Sequence, residues 1–333
     1  MRALVTGGGG FLGGALVRRL RERGDDVRVF ARGSYPELMA MGIDAVRGDL
    51  TDPAAVLAAC DDRDTVFHVG AKVGLWGRPE EYEAVNVQGT RNVLKACLET
   101  GVPKLVFTGS PSVVFHGGDV EGVDESAPYP ERFDSEYSRT KAAAEKMVLA
   151  ADHDRLCTVS LRPHLVWGPG DRHLLPRLEA RARSGRLFRV GHDDKLVDTL
   201  YIDDAVEAHI LAAVQLSPRS DISGNAYFLS SGAPRPLWEI VDRMLKAAGL
   251  GPVKRAMPKA LCFAAADACE GVWRTLGLSS EPPLTRFLVS QLTTAHWFDI
   301  NAARRELGWK PRVGLDEGMS RLAQWIRAAR SGS

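Results

Sequence analysis

The chain has 333 residues, with 43 lysines and arginines against 42 aspartates and glutamates, and five cysteines. That length suits about two domains with ample core, and the balanced charge excludes a global field for nucleic acid. The cysteines, at 60, 97, 157, 262 and 269, form no CxxC and are odd in number, which argues against a disulfide framework or a structural zinc.

No histidine pair stands with a carboxylate at metal-site spacing, so no metal is expected. No uncharged apolar run reaches the 18 residues of a membrane span, and the chain opens on a strand rather than a leader. The expectation is a cytoplasmic protein with reduced thiols.

Ala3-Leu4-Val5 reads as a short buried strand running into Thr6-Gly7-Gly8-Gly9-Gly10-Phe11-Leu12-Gly13. Gly7, Gly10 and Gly13 recur every three residues. The first permits a tight turn, the second lets backbone approach a pyrophosphate, and the third lets the next helix pack closely, with phosphate at that helix's N-terminus. Leu12, Ala15, Leu16 and Leu20 give the helix an apolar stripe, and Gly24 stops it. Strand, loop and helix in this order predict dinucleotide binding.

The second strand, Val27-Arg28-Val29-Phe30, ends where an NAD enzyme places a ribose-binding carboxylate. Here stand Ala31 and Arg32. A 2′-phosphate meets no repulsion, and Arg32 offers a planar cationic fork, so NADP(H) is preferred over NAD(H); alternatively Arg32 is a solvated loop residue.

Ala45-Val46 leads to Gly48-Asp49-Leu50, a helix follows Pro53, and Thr65-Val66-Phe67-His68-Val69 is another strand. A helix from about Tyr82 to Thr100 carries Asn86, and Lys104-Leu105-Val106-Phe107-Thr108 ends at Gly109-Ser110. The alternation predicts an α/β fold with a doubly wound parallel sheet. Ligands bind at the carboxyl ends of such strands, so Ser110 is placed to meet a cofactor, although a helix cap would use the same residue.

Tyr137 and Lys141 stand four apart in a helical segment and share one face. An ammonium beside a phenol favours the phenolate and makes tyrosine usable as a proton donor or acceptor. The strand Cys157-Thr158-Val159-Ser160-Leu161 still belongs to the sheet.

The expected division is a Rossmann domain over 1–167, completed by about 201–232, and a smaller, mostly helical substrate lobe from 168–200 and 233–330. Residues 257–278 are helix-like and unusually apolar. They read as core of the lobe, as the roof of an acyl site, or as an amphipathic element touching a membrane surface.

In order along the chain, Gly7-x-x-Gly10-x-x-Gly13, Asp49-Leu50, Ser110, Tyr137-x-x-x-Lys141 and Leu161 to Asp171 resemble the extended short-chain dehydrogenase/reductase family. Pro111-Ser112-Val113 and Tyr137 to Glu145 are most similar to its 3β-hydroxysteroid dehydrogenase branch. Val197 to Asp203, Pro282 to Leu288 and Ala295 to Phe298, with Arg32 to Leu38 and Ala71 to Gly77, are similar to the bacterial reductases of long-chain olefin biosynthesis within it.

The resemblance implies a Rossmann fold and reduction, by NADPH, of the 3-keto group of a 2-alkyl-3-oxo fatty acid. It implies cofactor contacts from Gly7, Gly10, Phe11, Leu12, Gly13, Arg32, Asp49 (to adenine), Leu50, Ala71, Lys141, Pro163 and Val166. Tyr137 becomes the acid/base, Lys141 the holder of the nicotinamide ribose, Ser110 the ligand of the substrate oxygen, and Asn86 a support of the site. For the substrate carboxylate, Lys72, His164, Lys195 and Arg286 are the candidates by position.

The resemblance also implies a homodimer through the helices around 82–100 and 137–151, and association with other olefin-pathway enzymes. Alternatives carried forward are a steroid or sterol-carboxylate dehydrogenase, a nucleotide-sugar epimerase or dehydratase, and a non-enzymatic NADP(H) sensor.

Overall fold

The computed structural model describes residues 1–74 and 76–331. Seven parallel strands form the central sheet: β1 (Arg2–Thr6), β2 (Asp26–Ala31), β3 (Asp44–Arg47), β4 (Thr65–His68), β5 (Lys104–Thr108), β6 (Cys157–Pro163) and β7 (Asn225–Leu229). Their order across the sheet is β7-β6-β5-β4-β1-β2-β3, so the topology reverses between β1 and β4. A crevice opens at that reversal, outside the carboxyl ends of the strands.

The period-two alternation of a strand explains both faces. Ala3, Val5, Val27, Val29, Phe67 and Val106 point to one side. There they pack on α1 (Phe11–Glu22), through Leu16, Val17 and Leu20, and on α5 (Ile202–Gln215), through Ala205, Val206 and Ala212. Leu4, Phe30, Val66, Leu105 and Phe107 point to the other side, against α2 (Pro53–Cys60), α3 (Gly89–Thr100) and α4 (Glu136–Ala150).

The helix expected from Tyr82 to Thr100 is not uniform. A short α turn at Pro79–Tyr82 and a π-helical turn at Glu83–Gln88 precede α3. Such wide turns often mark functional sites; here it carries Asn86, which is buried.

The smaller lobe contains α6 (Lys259–Thr275) and α7 (Arg286–Thr293), packed through Cys262, Ala266, Leu284 and Val289. The 257–278 segment is therefore mixed: Cys262 and Ala266 are core, while Leu261, Val272 and Leu276 lie exposed. A four-stranded sheet joins the lobes, because Val120–Val123, from the large domain, pairs with His296–Phe298.

The chain also returns to the large domain once more than the expected division allows. Ile300, Ala303, Leu307 and Trp309 enter the core beside Phe228 and Leu229, and Trp309 Nε1 donates to the Asp204 carbonyl. Asp204, in the first turn of α5, accepts the backbone N–H groups of Arg312 and Val313.

Three histidines are buried in neutral form. Burial holds His68 down to about 3 and His209 down to about 4, and it holds His164 well below the usual imidazole value. A depressed folded pKa contributes stability that is present above the unfolded value near 6.5 and is lost as pH falls towards the folded value. His68 and His209 should therefore each cost the fold roughly 2 kcal/mol on going from pH 7 to pH 5, with His164 adding in the same direction. Denaturant melts at the two pH values should show that combined loss; equal midpoints would contradict it.

Candidate active site

The glycine loop follows β1 as the spacing requires. Gly7 lies at φ +68°, and a Cβ there would fall 2.7 Å from the Gly70 Cα. A Cβ on Gly13 would fall 2.3 Å from the Gly7 carbonyl oxygen, so the third glycine lets α1 close on the loop's own first turn rather than on the sheet. The N-terminus of α1 at Gly10 has no side-chain cap. Uncapped N–H groups with the helix dipole behind them form an anion site, which fits the pyrophosphate of a dinucleotide.

The adenosine end is built from the β2, β3 and β4 edges. Arg32 is exposed just after β2, and its carbonyl accepts Nε of Arg47 at 3.0 Å. The Arg47 guanidinium thus stands against the Arg32 backbone, a neighbour the sequence reading missed because Arg47 lies 15 residues away on a separate strand. Asp49 accepts both the backbone N–H and the hydroxyl of Thr51, each at 2.9 Å. Those bonds hold its carboxyl below the usual range despite partial desolvation, with a smaller contribution from Arg32. Leu50 packs on the loop after β4 and on α3, and its carbonyl accepts Asn92 Nδ2 at 2.8 Å. The ring of Tyr35, also missed, lies over Gly9.

At the reacting end, Ser110 follows β5. Its Oγ caps the short turn Pro111–Val114 through the Ser112 N–H at 3.3 Å and meets Ser112 Oγ at 2.9 Å. The structure thus shows the cap, and the same hydroxyl is near enough to the Tyr137 phenol to pull its pKa down. Helix α4, capped by Ser135, presents Tyr137 and Lys141 one turn apart. Lys141 is buried, donates from Nζ to the Thr108 carbonyl at 2.6 Å, and sits 4.0 Å from the Phe107 ring centroid.

This geometry corrects the expected pKa logic. Burial raises the Tyr137 phenol above its ordinary value, opposed by the Ser110 hydrogen bond. Lys141 is not what tunes it, because its ammonium is turned to the end of β5. Burial lowers Lys141 to about 7, against the pull of Glu145.

A buried hydrogen-bond chain ties the strand ends to the helices. Gly70 N–H donates to Thr6 Oγ1 at 3.0 Å, Thr6 Oγ1 to His68 Nδ1 at 2.8 Å, and His68 Nε2–H to Thr90 Oγ1 at 3.0 Å. The Thr90 hydroxyl passes on to the Asn86 carbonyl at 2.6 Å, which fixes the imidazole tautomer. The Asn86 side chain accepts the Lys72 N–H at 2.7 Å and donates to the Lys72 carbonyl and to Thr140 Oγ1, each at 3.0 Å. Asn86 is thus a support of the loop beginning at Ala71, and it touches α4 next to Tyr137. Leu75, in the middle of that loop, lies outside the described residues. Pro163 ends β6, and Val166 pairs with Leu200 beside it.

The carboxylate candidates fare differently. His164 is buried and neutral, donating Nε2–H to His296 Nδ1 at 2.9 Å, so it supplies no charge. Lys195 pairs with Asp119 at 2.7 Å and Arg286 with both oxygens of Asp267 at 2.6 and 2.7 Å. Lys72 pairs with Glu81 at 2.7 Å. Above the site, Phe115 meets Phe287 edge-on, with ring centroids 6.1 Å apart, and Trp76 Nε1 donates to the Leu278 carbonyl at 3.2 Å. The loop after β4 and the lobe thereby close over the crevice.

A glycine cradle, a phenol held protonated, a serine hydroxyl and a buried lysine at one strand edge define a short-chain dehydrogenase/reductase site of the extended type. The chain belongs to the 3-beta hydroxysteroid dehydrogenase/isomerase family, whose model matches residues 4–259, and is an NAD(P)-dependent oxidoreductase acting on hydroxyl or keto groups.

It is 50% identical to the 2-alkyl-3-oxoalkanoate reductase of Stenotrophomonas maltophilia over 97% of this chain and 98% of that protein. It is 45% identical to the enzyme of the same name from Shewanella oneidensis, over 96% of this chain and 85% of that one. The human sterol-4-alpha-carboxylate 3-dehydrogenase, decarboxylating, is 32% identical over 99% of this chain and 89% of its own length. Among solved structures, the Thermus thermophilus UDP-glucose 4-epimerase complex with NAD superposes with a TM-score of 0.76 at 26% identity, covering 99% of this chain and all of that one.

The cofactor, when bound, supplies or accepts the hydride at the reacting carbon. The arrangement can serve such chemistry, because the Ser110 and Tyr137 hydroxyls can donate to an oxygen on which charge grows and the Tyr137 phenol has a proton to give. Tyr137→Phe should lower turnover by roughly 10²–10⁴ while cofactor still binds, measured by steady-state rates beside fluorescence titration; activity within about tenfold of wild type would contradict the role. Because Lys141 loses its proton near 7 in the free enzyme, kcat/KM for reduction should decline above that pH. A flat profile to pH 9 would show that its charge is not needed.

Proposed function

We propose that this protein uses NADPH to reduce the 3-keto group of 2-alkyl-3-oxo long-chain acids to 2-alkyl-3-hydroxy acids, as a step of olefin formation. The observation that carries the substrate is the near full-length similarity to two reductases named for it. The direction is that of the two reductases by name, and a protonated Tyr137 phenol, which burial favours, is the form a reduction draws on.

Preference for NADPH rests on Arg32 and Arg47. Arg32 follows the end of β2, the Arg47 side chain lies against its backbone, and Ala31 stands in place of a carboxylate, which supports a cationic ribose end. A 2′-phosphate there gains charge-assisted, fork-like hydrogen bonds that a free 2′-hydroxyl does not.

The test compares NADPH oxidation with a 2-alkyl-3-oxo acid, a 3-ketosteroid and a UDP-sugar. The keto acid should be turned over with the highest kcat/KM, and a higher value for either of the others would displace this reading. Replacing Arg32 and Arg47 together by alanine should cut efficiency with NADPH by roughly ten- to a hundredfold and leave efficiency with NADH near its starting value. A parallel fall with both cofactors would remove the arginines from the discrimination.

A further inference from the structure

A 2-alkyl-3-oxo acid poses a chemical difficulty for the site described above. Its carboxylate can lose CO2 by passing the C–C bonding pair towards the 3-keto oxygen, giving an enolate that takes a proton from water at carbon. The donors that stabilise a developing alkoxide, Ser110 and Tyr137, stabilise that enolate equally well. A reductase for such an acid must therefore hold the carboxylate's charge in place while the carbonyl is reduced.

A cation against the carboxylate does this, because its attraction is lost as the charge moves away. The sterol relatives named as decarboxylating sit at the other end of this choice.

We infer that Lys72 is the carboxylate subsite and that Glu81 holds it ready in the free enzyme. Four side chains compete for the role; the three cations among them are each paired with an acid, so position relative to the proton donor decides. His164 is neutral and buried against His296. Arg286 is clamped by both oxygens of Asp267. Lys195 is paired with Asp119, which also receives the Ala295 N–H.

Lys72 differs in two ways. Its backbone is fixed on both sides by the Asn86 side chain, which also binds Thr140, and the Thr140 hydroxyl reaches the Tyr137 carbonyl at 3.2 Å. The loop that carries the ammonium is thus registered to the proton donor. Its side chain lies over the Tyr82 ring, 5.1 Å from the centroid, and Tyr82 donates to the Gly74 and Trp76 carbonyls of the same loop.

The Lys72–Glu81 pair is also cheap to open. The lysine side chain is 28% exposed and the glutamate 49%, a setting in which an ion pair contributes little. Arg78 lies close enough to Glu81 to favour its charge after Lys72 leaves. A substrate carboxylate can thus take the place of Glu81 at Lys72 with no buried charge left unpaired at any stage. Glu81 stands in for the ligand and keeps the lysine out of the crevice until the ligand arrives.

This inference rests on the substrate reading above, and the experiment separates the two. Wild type, Lys72→Gln and Glu81→Gln are assayed with a 2-alkyl-3-oxo acid and with its methyl ester, which carries no charge and cannot lose CO2. Products are quantified as hydroxy acid against decarboxylated ketone, after subtracting loss without enzyme. Lys72→Gln should lower the acid-to-ester ratio of kcat/KM by roughly ten- to a hundredfold, chiefly through KM for the acid, and raise the share of ketone. Glu81→Gln should move the ratio the other way, by lowering KM for the acid.

Two variants of one ion pair with opposite effects would not arise from local damage, which lowers both. Ratios within twofold of wild type in both variants, with the acid still reduced, would overturn the Lys72 subsite alone. No turnover of acid or ester by wild type would overturn the substrate reading and the subsite with it.

Discussion

The geometry of the site depends on one buried ion pair, Glu145 with Arg162, which sews helix α4 to strand β6. Arg162 Nη2 reaches Glu145 Oε1 at 2.7 Å and Nε reaches both oxygens at 3.0 and 3.1 Å. Ser160 Oγ and Tyr129 Oη complete the carboxylate at 2.6 and 2.8 Å, and Arg162 lies over the Phe228 ring, 4.9 Å from its centroid. Burying two charges is favourable only when nearly every lone pair and proton is matched, as it is for this carboxylate.

The return is positional. Lys141 is one turn before Glu145 and Tyr137 two turns before, so the pair fixes how far along the strand ends both residues stand. It fixes Ser110 as well: a Cβ on Gly109 would fall 2.7 Å from Glu145 Oε2 and 2.7 Å from Ser160 Oγ, so the chain before Ser110 rests directly on the pair. Ser110, Tyr137 and Lys141 are thus registered to one another by a single buried pair.

Dryness at this edge acts in opposite senses on different groups. It raises a phenol and lowers an ammonium and an imidazole, and so draws Tyr137, Lys141 and His68 all towards their neutral forms. The resting site is therefore poor in net charge while rich in oriented donors. Charge that develops on a carbonyl oxygen there meets hydrogen bonds in a low-dielectric setting, where they act most strongly and need no reorganisation. The spacing of Tyr137 and Lys141 had suggested that the ammonium makes the phenol acidic. The fold instead lodges that ammonium on the Thr108 carbonyl and the Phe107 face, which makes Lys141 a titrating group in its own right.

What the sequence displayed well was local or periodic. The strand, glycine loop and helix at residues 2–22 lie within one continuous stretch, and the alternation that sends Leu4 to one face and Val5 to the other needs no tertiary knowledge. Ser110, Tyr137 and Lys141 were legible because strand ends and helix turns place them. What stayed hidden was pairing across sequence distance: Arg47 beside Arg32, Tyr35 on Gly9, Arg162 under Glu145. Nothing in composition or spacing marks such partners, since each depends on which strand edges lie next to one another. The four proposed carboxylate ligands show the same limit, because a cation's identity is visible in sequence while its prior engagement by an acid is not.

The fold itself does not choose the substrate. A UDP-glucose 4-epimerase shares almost the whole backbone, so the choice has to be made by side chains outside the common frame. Here those side chains sit where the loop after β4 meets the lobe: Trp76 bound to the Leu278 carbonyl, Arg274 over the Trp76 ring, Phe115 against Phe287. Each contact has one partner anchored to the catalytic edge and the other in α6, in α7 or in the turn joining them. The lobe is thus held to the reacting end through aromatic side chains, one in a hydrogen bond, one under a guanidinium and one pair edge-on. Aromatic faces such as Trp76, Phe115 and Phe287 suit an alkyl chain better than a sugar diphosphate, whose charges and hydroxyls would each need a polar partner there.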